Sequence, residues 1–180
     1  MRNEDDVQAA LEETRTVLSW IHEQLVASNL PLEQLGEYIA PSLVLGLPRR
    51  GRFVKIGEVW RLGVFLVGKE GTLFRAGETV RSESVQIASH NSAYKAERSE
   101  YAYAAFRAGY KPGTVVNFGA SRINIDVESF ASGTGPLFVR GRSTFVRWRR
   151  GIADDEAVLF KENMIERLGL LVNPPAGSTD

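Results

Sequence analysis

The sequence predicts an α+β fold: an antiparallel sheet of about five to seven strands with a central helix, an N-terminal heptad-like helix and a C-terminal helix packed on it. Three observations carry this expectation. Residues 4–28 and 91–108 show helical periodicity. The stretches 53–80 and 114–149 break into short runs rich in β-branched and aromatic residues, separated by glycine. Most links between those runs are of hairpin length, which joins antiparallel neighbours.

Along residues 4–28, Val7, Leu11, Thr14, Leu18, Ile21 and Leu25 step by four and three, a heptad stripe. Asn3 is a candidate N-cap, and Glu4, Asp5 and Asp6 sit in the first turn, where the helix dipole favours acids. The stripe suits a helix lying across the rest of the domain, or a helix pair about a dimer axis. Trp20 keeps the second reading open, because it lies away from the stripe where a monomer has to expose it.

Pro31 suits the first turn of a short helix over 32–39, ended by Pro41. The loop 45–52 carries Arg49, Arg50 and Arg52 with no acid among them. Residues 53–67 then read as strand, Gly68 to Gly71 as a turn, and 72–80 as the returning strand. Gly57 or Gly63 marks a bulge or a break in it.

The central helix follows Ser89, Asn91 and Ser92 and stops at Gly109. On a helical wheel Tyr94, Tyr101, Ala104, Ala105 and Ala108 form one apolar side, and Ala96, Ala102, Tyr103 and Phe106 another. That pattern predicts a helix covered on both sides. Arg98 falls among the first group, where a guanidinium needs an acid, a carbonyl, an aromatic face or an anionic ligand.

Beyond Lys111-Pro112-Gly113, strands are expected at 114–118, 122–127, 137–140 and 144–149, the last two as a hairpin about Gly141-Arg142-Ser143. Asp154 is expected to cap a final helix with Val158, Ile165 and Leu168 facing inward. Residues 1–172 read as a single domain and 173–180 as a disordered tail. The order of elements resembles that of profilin-like and roadblock/longin-like domains, with no residue motif behind the resemblance.

Hydrophobic content of 43% and charged content of 24% are ordinary for a globular chain, and the formal net charge is zero. The absence of cysteine excludes disulfides, thiolate metal sites and cysteine nucleophiles. The N-terminal residues are acidic, and no run approaches about 18 apolar residues. A cytoplasmic protein with no membrane contact is expected, with no cofactor and no metal.

No phosphate-binding glycine loop, zinc motif or nucleophile elbow is present. The first functional expectation is therefore a non-catalytic interaction or scaffold domain acting as a homodimer. The second is an anionic ligand, nucleic acid or a phosphorylated small molecule, on Arg140, Arg142, Arg147 and Arg149. Alternation sets Arg147 and Arg149 on one strand face, although Asp154, Asp155, Glu156 and the acidic first helix could pair with this row. The third is an enzyme with a site at His90, Tyr94 and Arg98.

Overall fold

The computed structural model describes residues 4–44, 46–85, 93–131, 135–149 and 151–175. Among them the fold is α+β, with four helices, a mixed sheet of seven strands and two smaller sheets. Helix α1 (Glu4–Ala27) is followed by β1 (Glu33–Ile39), β2 (Ser42–Val44), β3 (Leu47–Arg49) and β4 (Arg52–Leu62). Strands β5 (Phe65–Gly68), β6 (Leu73–Arg75) and β7 (Glu78–Arg81) precede helix α2 (Ala93–Arg107). Then come β8 (Val115–Phe118), β9 (Ser121–Arg122), α3 (Val127–Ala131), β10 (Leu137–Arg140), β11 (Ser143–Val146), β12 (Val158–Leu159) and α4 (Phe160–Val172). Contacts divide the chain into two compact units: Met1–Pro31, Trp60–Arg75 and Arg122–Asp180 form the first, Leu32–Val59 and Ala76–Ser121 the second.

In the first unit α1 buries Val7, Leu11, Thr14, Leu18, Ile21 and Leu25, the residues of the expected stripe. It packs on β11, α3 and α4, so the stripe has its partner within the chain. Phe160 of α4 meets Phe65 edge-on at 5.9 Å, and Met164 and Leu168 complete that face. Strands β5 and β6 pair antiparallel around the expected turn, closed by Gly71 N–H donating to the Gly68 carbonyl at 2.8 Å.

Several expectations for this unit are corrected. The strand expected over 144–149 ends at Val146, so Arg147 and Arg149 do not share a strand face, and Val158 and Ile165, expected to face inward, are exposed. The last helix starts at Phe160 rather than at Asp154. Asp154–Glu156 forms a short 3-10 turn, and Val158 and Leu159 pair with β11 before the helix begins. The Asp154 carboxylate accepts a bond from Arg147 instead of capping helix N–H groups. The strand expected over 122–127 stops at Arg122, and Val127–Ala131 is helical, with the Asp126 carboxylate accepting the Ser129 N–H at 2.8 Å.

In the second unit the strands run in the order β7-β8-β1-β4. The pairs β7–β8 and β1–β4 are antiparallel, while β1–β8 is parallel, which makes the sheet mixed where an antiparallel one was expected. The short helix expected over 32–39 is thus the strand β1. Its local pattern suits a helix, but ladders on both sides satisfy its backbone, and Leu35 and Gly36 are buried between them. Gly36 also permits a close approach: a Cβ there would lie 2.9 Å from the Tyr110 hydroxyl. The β1–β4 register shifts between Leu35 and Gly36, opposite Gly57, and Gly63 (φ 62°) follows the end of β4. Both glycines therefore mark irregularities, as their positions in the sequence suggested.

Helix α2 packs on β7 and buries Ala102, Ala104 and Ala105. The expectation that both its apolar sides are covered is corrected. Tyr94, Ala96 and Phe106 are exposed, and Tyr103 stacks on Phe106 with 6.4 Å between centroids. Beneath the helix, Tyr38 touches Phe53 at 5.2 Å, Tyr101 at 4.6 Å and Phe118 at 6.4 Å. Phe118 in turn meets Tyr101 at 5.0 Å and Phe53 at 5.4 Å. Edge-on pairs of this kind contribute about 0.5–1.5 kcal/mol each beyond the area they bury.

Two substitutions test this packing. A Cβ on Gly51 would lie 1.9 Å from the Tyr38 hydroxyl oxygen and 2.5 Å from the ring carbon bearing it. Because three rings hold Tyr38, Gly51→Ala is expected to lower stability in urea unfolding by about 1–3 kcal/mol. Tyr110 is 3% exposed and its hydroxyl has no hydrogen-bond partner among the described residues. Tyr110→Phe is expected to leave stability unchanged or raise it by up to about 1 kcal/mol, since an unmade buried hydrogen bond is a cost. A loss of similar size would show that the hydroxyl is satisfied.

Candidate interaction surface

The β1–β4 pair extends outward into a second ladder. Tyr38 pairs with Phe53 and Ile39 with Arg52, and then Ser42 with Arg49, Leu43 with Pro48 and Val44 with Leu47. Each step along one strand is matched by one step back along the other, so β2–β3 continues the register of β1–β4. Gly46 closes the turn at φ 76°, a value that favours glycine. The root is held from two sides: Tyr38 packs against Gly51, and an Arg107 side-chain N–H donates to the Gly51 carbonyl at 2.7 Å.

Beyond that root the hairpin is open to solvent. Leu43 is 75% exposed and Leu47 71%, and Ser42, Pro48 and Arg49 are exposed as well. The side chains of Arg49, Arg50 and Arg52 are exposed and make no hydrogen bond or ion pair with any described residue. No acid occurs between Glu37 and Glu58, and Lys55 is the fourth cation of that stretch. Lys55 is engaged, donating to the Gly109 carbonyl at 3.1 Å and lying 4.8 Å from the Tyr110 ring centre. Two-stranded hairpins are marginal in water. This one owes its form to the ladder that roots it.

The four arginines expected to hold an anion are placed differently from one another. Arg147 donates to the Asp154 carboxylate at 2.7 Å and to the Gly135 carbonyl at 2.6 Å. Arg140 donates to the Asp154 backbone carbonyl at 2.7 Å. The two guanidinium groups also lie over Phe138, at 4.4 and 5.6 Å, and Phe138 stacks on its cross-strand neighbour Phe145. The Arg147 guanidinium holds the Asp154 carboxyl below the usual carboxylate range. Arg142 makes an exposed 4.0 Å pair with Asp6, and Arg149 lies 5.2 Å from the Trp148 ring. Arg140 and Arg147 thus form one built cluster, and the other two stand on the surface.

Of the enzyme-like set, His90 lies outside the described residues, as do the proposed helix caps Asn3, Ser89, Asn91 and Ser92, and residues 176–180 of the expected tail. Tyr94 is 62% exposed. Arg98 donates to the Thr79 carbonyl at 3.1 Å and lies 5.8 Å from the Tyr94 ring, so a backbone carbonyl supplies the partner its position demanded. Trp20 is 43% exposed, on the side of α1 away from its buried stripe. His22 contacts the Lys69 carbonyl through Nε2 at 2.9 Å.

A cavity of about 300 Å³ lies in the first unit, lined by Thr14, Val17, Thr144 and Phe160 with Glu13 and Lys161. The Thr14 and Thr144 hydroxyls are 2.7 Å apart, and both reach the Ala10 carbonyl, so they are already satisfied. Among the described residues no group of three or more His, Asp or Glu is placed to hold a metal ion. No helix is long and apolar enough to cross a membrane, the described residues being those searched. No family model, curated protein or solved structure matches the chain.

The arginines of loop 45–52 stand out in the sequence, whereas the leucines beside them do not. The signal present was an apolar run interrupted by Gly46 and bracketed by Pro41 and Pro48. Three-residue strands are too short to show an alternation.

The tyrosine–carboxylate pairs at α2 tie the stability of the second unit to pH. Tyr101 donates to Glu97 at 2.6 Å and Tyr38 to Glu100 at 3.4 Å. The bond to Glu97, with burial, pushes Tyr101 up to about 12. Since the folded state favours the protonated phenol, its contribution is complete below the unfolded value near 10 and is lost as pH rises toward 12. Urea midpoints measured between about pH 9 and 11.5 should fall less steeply for Tyr101→Phe than for the wild type. Equal slopes would show that the bond is not kept in solution.

Proposed function

We propose that the protein is a non-catalytic interaction domain whose docking element is the hairpin β2–β3. The observation that supports it is the placement of Leu43 and Leu47, three-quarters and 71% exposed, on a hairpin whose root is packed. Leucines at such exposure add nothing to a core, and clustered apolar surface on a soluble chain marks a contact site. The homodimer expected from the heptad stripe loses that support, because the stripe is used inside the chain, and Trp20 carries it alone.

The double variant Leu43→Ser/Leu47→Ser is the test. Its thermal midpoint is expected within about 2 °C of wild type, as for surface positions. Its binding of an apolar fluorescent dye, and any self-association in sedimentation velocity, should drop. A stability loss above about 2 kcal/mol would show the leucines packed in solution and end this reading.

A further inference from the structure

We propose that β2–β3 docks on the interface of an anionic lipid membrane, with its leucines at the acyl boundary and Arg49, Arg50 and Arg52 among the headgroup phosphates. This rests on the reading of the hairpin as the docking element and names its partner.

The first support is that the hairpin carries an exposed leucine on each of its faces. Cross-strand partners share a face and successive pairs alternate. Leu43 and Pro48 therefore lie on one face, and Leu47 lies on the other with Ser42 and Arg49. A flat protein surface covers one face of such a hairpin and leaves the other in water. A lipid phase surrounds both.

The second is charge complementarity. From Tyr38 to Gly57 every charged residue is basic, in a chain whose net charge is zero. Three of those four cations have no partner among the described residues, in contrast to Arg98, Arg107, Arg140 and Arg147, each bonded to a carbonyl or carboxylate. Free guanidinium groups beside leucines match phosphate headgroups over acyl chains.

The third is spacing. At ~3.3 Å per strand residue, Arg49 stands roughly 7 Å behind Leu47, comparable to the ~5–10 Å depth to which interfacial segments bury their apolar groups. The expectation of no membrane contact rested on the lack of a spanning segment and on zero net charge. Neither bears on a hairpin that reaches only the interface.

The experiment is vesicle co-sedimentation of the full chain. Vesicles of phosphatidylcholine alone are compared with vesicles containing about 30 mol% phosphatidylserine. Binding is expected to the anionic vesicles and to weaken as salt rises from ~0.05 to ~0.5 M. Leu43→Ser/Leu47→Ser should weaken it at least about tenfold. Arg49→Gln/Arg50→Gln/Arg52→Gln should remove the preference for phosphatidylserine, and Leu170→Ser, an exposed leucine on α4, should leave binding unchanged. Absence of binding at low salt, or unchanged binding by the leucine variant, overturns the lipid proposal. If that variant nonetheless dissolves a dimer in sedimentation velocity, the partner is a second copy and the docking element stands. If neither dye binding nor self-association responds to it, both readings fall.

Discussion

Tyr38 is the side chain on which the second unit depends. Its ring touches three others, its hydroxyl bonds to Glu100, and the backbone at Gly51 comes so close that no Cβ fits. The same residue ends the well-packed part of β1, so the chain leaves the core beside it and returns through Gly51 and Phe53. Everything outside that gate, from Ala40 to Arg50, is exposed or projects from an exposed ladder, apart from the two positions whose side chains are not described. A packed root and a bare tip in one register are the physical basis of the proposed docking element.

The arginines show how differently one residue type is used. Seventeen of the 22 basic residues are arginine, so their number says nothing about where a ligand binds. In α2, Arg98 and Arg107 tie the helix to the Thr79 and Gly51 carbonyls. In the small sheet, Arg140 and Arg147 cover Phe138 while converging on Asp154, which fixes the polypeptide that leads into β12. These groups already have protein partners with which an anion would have to compete. Among the described residues, the side chains of the arginines at the hairpin root do not.

Much of the fold was legible in the sequence, and its errors have a common cause. Helices α1 and α2 were read to within a few residues, since a 3.6-residue period and end signals are properties of neighbouring residues. The hairpin turns at Gly68–Gly71 and Gly141-Arg142 were legible for the same reason. Residues 33–39 were misread because their strand character comes from β4 and β8, the latter about eighty residues away. The start of α4 was misread because an acid that looks like a cap is held by Arg147. Of the candidate site, the basic half was visible as a run of arginines without acids. The apolar half was not, because whether a leucine is buried or bare depends on what else the chain brings to it.

The sequence by itself therefore determined the α+β class, the two long helices, most turns and the basic character of the segment near residue 50. Those follow from interactions spanning about four residues. Only the tertiary structure decided that the heptad stripe is spent inside the chain, that Arg98 meets a carbonyl, and that Leu43 and Leu47 stand in solvent beside arginines with no side-chain partner among the described residues. Each of those depends on groups distant in the chain, which local pattern cannot bring together.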